Sequence, residues 1–255
     1  MRCSFLFFYG KSGRFAKQHT YSRTNIRRLY MLKEYNVKQR KRLEMYFRCL
    51  SSTCIRGLLG RYYVVYEFDF SNVFFKRGLI KNACERWNIE DANSFHRQIR
   101  WLLEDGNRAE YRSLHARLAT LSETSRSKYL EAHKDHEDFV NLKVVAQGIH
   151  QLPSGDISAF GLAWVIYLSR IGYVEDYLKK EEAWEYKIEA ARQLQERYSS
   201  WADYYIAYSL GSKFSLVHSG GLDNLFETGL QKLMRNSSIL YREAIWGQNL
   251  QPEAT

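Results

Sequence analysis

The chain has 255 residues, of which 45% are hydrophobic and 26% are charged, close to the balance of ordinary globular proteins, so a wholly disordered chain is excluded. Only two prolines occur, which excludes Pro-rich linkers and collagen-like repeats. No run approaches the roughly 18 consecutive apolar residues that a membrane-spanning helix needs.

The formal net charge of +10 is unevenly distributed along the chain. Residues 1–61 carry fifteen Lys or Arg against two acids, a net of +13, and residues 62–255 carry 23 bases against 26 acids, a net of −3. The basic balance therefore belongs to the N-terminal quarter, which weakens nucleic-acid binding as a function of the whole protein. A nucleic acid or an anionic membrane is expected as a partner only through residues 1–61.

Residues 1–30 contain seven bases and no acid. We expect a disordered basic tail here, or a stretch that lies upstream of a true start at Met31. The four cysteines form no C-x-x-C pair, and this favours reduced thiols and a cytoplasmic location.

The segment 31–70 is predicted to be a basic amphipathic helix followed by an aromatic connector, both packing on the body of the protein. Apolar residues recur at helical spacing between Asn36 and Leu59. Such a helix suits an acidic partner or an anionic membrane, or has a basic face that is simply solvated. The connector, Arg61–Phe70, has strand composition, although a buried helical turn fits it equally. The bases assigned to the exposed face of the helix are Lys38, Arg40, Lys41 and Arg42.

Residues 71–250 are predicted to form one helical domain. The stretch 156–171 is apolar nearly all round, which is typical of a buried central helix. We therefore predict an all-α fold, a single globular domain of roughly seven to nine helices with a basic N-terminal extension. The helices are expected near 73–87, 91–106, 108–121, 124–147, 156–171, 181–198, 200–211, 222–235 and 239–246.

Motifs that would carry chemistry are weak. Gly10-Lys11-Ser12 lacks the first glycine of a phosphate loop, and His133 and His136 lack the spacing of a metalloprotease helix. No G-x-S-x-G elbow is present. We expect no metal and no cofactor, and the sequence leans against an enzyme.

The C-terminal two-thirds carries a series of motifs in a recognisable order. They are Trp87-Asn88-Ile89, the block 101–108, the block Asp156–Arg170, Gly172-Tyr173, Glu181–Trp184, Ser199–Trp201 and Tyr208–Gly211. Over about residues 86–246 the chain resembles the bacterial domain of unknown function 1266. The resemblance implies a helical bacterial protein whose family has no established activity.

Two positions depart from the family pattern. The basic residue expected soon after Asp156 is missing, and Ser212 stands where an Arg is expected after Gly211. Asp156 is alternatively a helix cap, and Arg170 alternatively neutralises the C-terminus of its helix. The positions that we assign to a ligand or partner site, the first four of them expected to converge, are Asp156, Arg170, Glu182, Trp184 and Trp201.

Three functions are compatible with these observations. The first is a non-enzymatic module that binds another protein. The second is an enzyme or small-ligand binder that uses Asp156, Arg170 and Glu182. The third is nucleic-acid or membrane-surface binding through residues 1–61.

Overall fold

The structure is a computed structural model, and it describes residues 32–55, 58–68, 75–152, 156–216 and 244–253. Within these ranges the fold is all-α and contains no β-strand, as predicted. The predicted basic tail and the predicted helix 222–235 lie outside the described residues. Of the predicted helix 239–246, residues 244–246 are described, and they are not helical.

Ten α-helices follow one another in the described part of the chain. Helices α1 (Val37–Ser51) and α2 (Leu58–Val65) precede the predicted domain and are separated by a short 3₁₀ helix. None of the described helices is long and apolar enough to cross a membrane. The other eight are α3 (Phe75–Arg86), α4 (Ala92–Glu104), α5 (Arg108–Ala119), α6 (Glu123–Ala132), α7 (Phe139–Gly148), α8 (Ser158–Val174), α9 (Lys180–Arg197) and α10 (Trp201–Leu216).

Helix α8 lies at the centre of the fold. Every residue from 158 to 172 is buried, and the helix packs against α1, α4, α9 and α10. A helix that is apolar on all sides is stable in water only when neighbouring elements cover it completely. The predicted buried central helix is confirmed.

A glycine lets α10 approach α8 closely. A Cβ at Gly211 would lie 2.7 Å from the Cβ of Phe160 and 2.8 Å from the carbonyl oxygen of Ile157. The predicted end of this helix at Gly211 is wrong, since the helix continues to Leu216. The glycine serves close packing instead of termination.

Two further boundaries differ from the predictions. The helix expected over 124–147 is divided into α6 and α7, and the Nδ1 atom of His133 lies 2.8 Å from the carbonyl oxygen of Tyr129 at the end of α6. Periodicity does not reveal a turn that keeps the apolar spacing on both sides. The strand alternative for 61–70 is also wrong over the described residues 61–68, because α2 covers residues 61–65 and no strand follows it. Tyr63 and Phe68 of this segment are buried, whereas Tyr66 is exposed.

Helix α1 presents three faces to its surroundings. Its N-terminus is capped by Asn36, whose side chain accepts a hydrogen bond from the backbone N–H of Gln39 at 2.8 Å. The inner face is fully buried and includes Leu43, Phe47 and Leu50. A second face, with Gln39, Arg42 and Tyr46, contacts residues 244–253. The third face lines a groove, and its residues are Val37, Arg40, Lys41, Glu44, Met45 and Arg48.

Candidate functional site

A groove with a volume of about 550 Å³ lies between α1 and the N-terminal end of α9. This volume falls in the range of roughly 300–1,000 Å³ that is typical of ligand pockets. We call it the cationic groove. Its apolar lining residues are Leu32, Val37, Met45 and Trp184, and its charged ones are Arg40, Lys41, Glu44, Arg48, Glu67 and Lys180.

A smaller cavity of about 180 Å³ adjoins the cationic groove. The two share four lining residues, among them Glu44 and Trp184. Arg170, Tyr173 and Lys187 line only the smaller cavity. Two of the predicted site residues, Arg170 and Trp184, are therefore brought together here.

The guanidinium of Arg170 joins the end of α8 to the N-terminal helices. Its side chain is 1% exposed, and its Nε lies 3.1 Å from a carboxylate oxygen of Glu67. It donates further hydrogen bonds of 2.8 Å to the hydroxyl of Ser51 and to the carbonyl of Tyr63. Ser51 belongs to α1, Tyr63 belongs to α2 and Glu67 follows α2 by two residues, so Arg170 does not neutralise the C-terminus of its own helix.

Lys187 makes the second buried ion pair beside the groove. Its ammonium donates to both carboxylate oxygens of Glu44, at 2.6 Å and 2.7 Å. It also lies 5.3 Å from the ring centroid of Phe47 and 5.4 Å from that of Trp184, within the range of cation–π attraction. Carboxylate and aromatic faces together compensate the removal of this charge from water.

These two ion pairs leave the rim of the groove positively charged. Glu44 is bound by Lys187, and Glu67 is bound by Arg170. Within the described residues, Arg40, Lys41 and Lys180 form no ion pair with a carboxylate. The groove thus offers cationic groups beside apolar side chains, an arrangement suited to an anionic ligand that also carries apolar groups.

Asp156 does not belong to this site, so the predicted convergence is wrong. It lies two residues before the first residue of α8, and the helix from Ser158 to Arg170 is about 18 Å long. One carboxylate oxygen accepts a hydrogen bond of 2.7 Å from the backbone N–H of Ser158, and the other accepts one of 3.0 Å from the guanidinium of Arg112. Asp156 therefore caps the start of α8, its structural alternative.

Glu182 and Trp201 also lie apart from the predicted cluster. Glu182 accepts the backbone N–H of Lys179 at 3.0 Å and so helps to cap α9. Trp201 is buried at the start of α10, where its indole N–H donates to the carbonyl of Ala244 at 3.0 Å. Its ring packs against Tyr46 of α1 and Trp246 of the 244–253 segment, and it does not line the groove.

The four predicted surface bases of α1 divide among different surroundings. Lys38 is exposed, and Arg42 pairs with Glu253. Only Arg40 and Lys41 line the cationic groove. The helix thus has no uniform basic face.

Sequence reasoning missed three of the charged residues that organise the site. Glu44 and Glu67 were not singled out, although Glu44 is one of only two acids in residues 1–61. Lys187 follows Trp184 by three residues on the buried stripe of α9. A charged residue on such a stripe needs a partner, and this signal could have identified it.

Comparison with known proteins identifies one family for this chain. No curated protein and no solved structure matches the chain. The family model described as a protein of unknown function, DUF1266, matches residues 84–238, more than half of the chain. The match includes α4 to α10 and excludes α1 and α2, so the cationic groove combines family helices with helices outside the match. The chain belongs to the DUF1266 family.

Proposed function

We propose that this protein is a non-enzymatic interaction module of the bacterial cytoplasm that binds an acidic segment of another protein in the cationic groove. The observation that carries the proposal is a groove of about 550 Å³ in which Arg40, Lys41 and Lys180 lack carboxylate partners among the described residues. Complementary charge speeds association and disfavours wrong partners, while apolar contact supplies affinity.

The lining of the groove favours a protein segment over a nucleic acid. Val37 and Met45 offer contacts to aliphatic side chains, whereas Trp184 is 2% exposed and presents no free ring for base stacking. Proteins that bind DNA strongly make about 6–10 phosphate contacts. The groove has three cations that lack a carboxylate partner among the residues the structure describes, and they lie beside Glu44 and Glu67, so they fall short of that number.

A membrane surface also fits less well than an acidic segment. Helices that bind membranes insert their apolar face into the boundary between headgroups and acyl chains. The apolar face of α1 is instead occupied, since Leu43, Phe47 and Leu50 are fully buried in the body of the protein.

The chain's own residues 1–31 also fit the cationic groove less well than an acidic segment, because their seven bases would face the cations of the groove.

The geometry does not support the catalytic or small-ligand alternative. This alternative required Asp156, Arg170 and Glu182 to share a site, yet Asp156 precedes α8 and about 18 Å of that helix lies before Arg170. Glu182 accepts a backbone N–H at the start of α9. The groove therefore supports recognition of an acidic segment better than it supports chemistry.

The test uses a short fluorescein-labelled peptide rich in Glu and Leu, and the same peptide with Gln in place of Glu. We expect fluorescence anisotropy to report binding of the first peptide only, with affinity that falls as salt rises. The double variant Arg40→Glu/Lys41→Glu should weaken binding about tenfold, which corresponds to about 1.4 kcal/mol.

A matched control changes the net charge equally outside the groove. Arg100 and Lys128 are exposed on α4 and α6, so Arg100→Glu/Lys128→Glu should leave peptide binding unchanged apart from a small general effect. Equal weakening by the two double variants would overturn the proposal. Single-stranded DNA and phosphatidylserine vesicles serve as competing probes, and preferential binding of either one through Arg40 and Lys41 would replace the protein segment as the partner.

A further inference from the structure

Residues 244–253 lie across the body of the protein in a way that resembles a bound peptide. They form no helix, and they pass over α1, α9 and the start of α10. Burial alternates along them: Ala244, Gln248 and Leu250 are buried, whereas Ile245 and the other odd-numbered residues through 251 are exposed. The segment turns at residues 246 and 247, where Trp246 is half-buried, and on either side of this turn the buried side chains point into the body.

The body holds this segment mainly through the segment's backbone. Carbonyl groups of the segment accept hydrogen bonds of 2.6–3.0 Å from five side chains of the body: Tyr35, Gln39, Tyr46, Gln195 and Trp201. Gln195 alone serves two of these carbonyls, those of Trp246 and Gln248. These side chains donate to main-chain carbonyls, which every residue type carries. They can therefore bind the backbone of any segment of this shape, whatever its side chains.

Selectivity comes from three side chains of the segment. The ring of Trp246 packs 5.1 Å from that of Trp201, and its N–H donates to the carbonyl of Tyr198 at 2.8 Å. Leu250 is buried four residues later. Glu253 pairs with Arg42, and this hydrogen bond lowers the pKa of Glu253.

We propose that this face is a second binding site, which receives a non-helical segment of a partner protein with a turn after its aromatic residue, and that residues 244–253 occupy it in cis. The fitting partner segment has an aromatic residue, an aliphatic residue four positions later and an acid three positions after that. Removal of the segment would uncover Trp201 and Tyr46, which are buried in the structure. Exposed aromatic patches of this kind mark interaction sites.

This site is independent of the cationic groove. The segment contacts the face of α1 that carries Gln39 and Tyr46, whereas the groove is lined by the face with Arg40 and Lys41. Failure of the acidic-peptide test would therefore leave the second site untouched. Failure of the test for the second site would likewise leave the proposal for the cationic groove untouched.

The test measures binding of a fluorescein-labelled peptide with the sequence of residues 244–253 to the full chain. In the wild-type chain the cis segment competes at a high effective concentration, so Trp246→Ala should bind the peptide about tenfold tighter than wild type. A peptide with Ala at the Trp position should not bind. Adding Gln195→Leu to Trp246→Ala should weaken binding again, because two carbonyls of the peptide lose their donor.

Controls separate this effect from general loosening of the fold. Trp101, which is 37% exposed on α4, provides the matched variant Trp101→Ala, and this change should leave peptide binding at the wild-type level. If Trp246→Ala unfolds by circular dichroism, Leu250→Asp is the second variant. A folded variant without tighter binding, or unfolding of both variants, would overturn the proposal, because the segment would then be part of the core. A dimer that forms as protein concentration rises, and that the peptide dissociates, would show that a second copy of this chain occupies the site. That result would overturn the proposal that the partner is a different protein.

Discussion

The ammonium of Lys187 on α9 lies 2.6 Å and 2.7 Å from the two carboxylate oxygens of Glu44 on α1. The pair connects a helix inside the family match to one outside it. It ties the two walls of the cationic groove together and at the same time neutralises the carboxylate of Glu44. Arg40, Lys41 and Lys180, which pair with no carboxylate in the described part of the chain, are therefore left to define the charge of the groove.

Removing one member of this pair should destabilise the protein asymmetrically. Glu44→Gln leaves the ammonium of Lys187 buried without its counter-charge, so we expect a loss of about 2–3 kcal/mol in the free energy of unfolding. This is at or below the lower limit of the usual range of about 3–5 kcal/mol, because the side chain of Glu44 is 31% exposed. Lys187→Met should cost less, and urea unfolding of both variants measures the difference. Equal losses, or a double variant that is less stable than Glu44→Gln, would contradict this account.

Close packing at Gly211 should make this position intolerant of a methyl group. Gly211→Ala would place a Cβ within 2.8 Å of the carbonyl oxygen of Ile157, and we expect it to destabilise the fold by about 1–3 kcal/mol. Gly78→Ala is the matched control, because a Cβ in that helix meets nothing within 4 Å. It should stabilise by up to about 1 kcal/mol through helix propensity. Thermal unfolding of the two variants should therefore shift in opposite directions.

Two buried tyrosines should respond differently to loss of the hydroxyl group. The hydroxyl of Tyr111 has no hydrogen-bond partner among the described residues, so Tyr111→Phe should be neutral or stabilising by about 1 kcal/mol. The hydroxyl of Tyr198 donates to the carbonyl of Asp156 and accepts the backbone N–H of Ala159. Tyr198→Phe should cost about 1–3 kcal/mol, because it leaves buried groups unpaired. Urea unfolding compares them, and a larger loss for Tyr111→Phe would disprove the prediction.

Stability should change with pH in two windows above neutrality. Burial raises the pKa of Tyr111 and of Tyr198 to about 12, so the folded state keeps protons that the unfolded state loses from about pH 10. The contribution of these two tyrosines to the free energy of unfolding is therefore complete below pH 10, and it disappears as the pH rises to 12. Desolvation lowers the pKa of Lys213 to about 8, so the unfolded state binds more protons between pH 8 and 10.5 and stability rises there.

Urea unfolding at a series of pH values tests both windows. Lys213→Met should remove the rise that begins near pH 8 and leave the alkaline loss unchanged. Tyr111→Phe should make the loss above pH 10 less steep. A wild-type profile that stays flat from pH 8 to 11, with the helical circular dichroism intact, would argue against both effects.

Apolar patterning predicted much of the fold and little of the candidate site. Helix α8 could be predicted because an uninterrupted apolar segment has to be covered on every side. The end of α10 could not, because the glycine at 211 has the same appearance in sequence whether it stops a helix or permits close packing. The groove escaped prediction because Glu44 and Lys187 are 143 residues apart, and periodicity carries no information about such a contact.

By itself the sequence determined the all-α class, the buried central helix, the family and the uneven charge, because these depend on composition and local periodicity. Only the tertiary structure decided which polar groups meet. It separated Asp156 from Arg170 along the length of one helix, and it brought Arg170 to Glu67 and Lys187 to Glu44. The physical reason is that helix packing sets the distances between residues far apart in the chain, and charges act at a few ångströms.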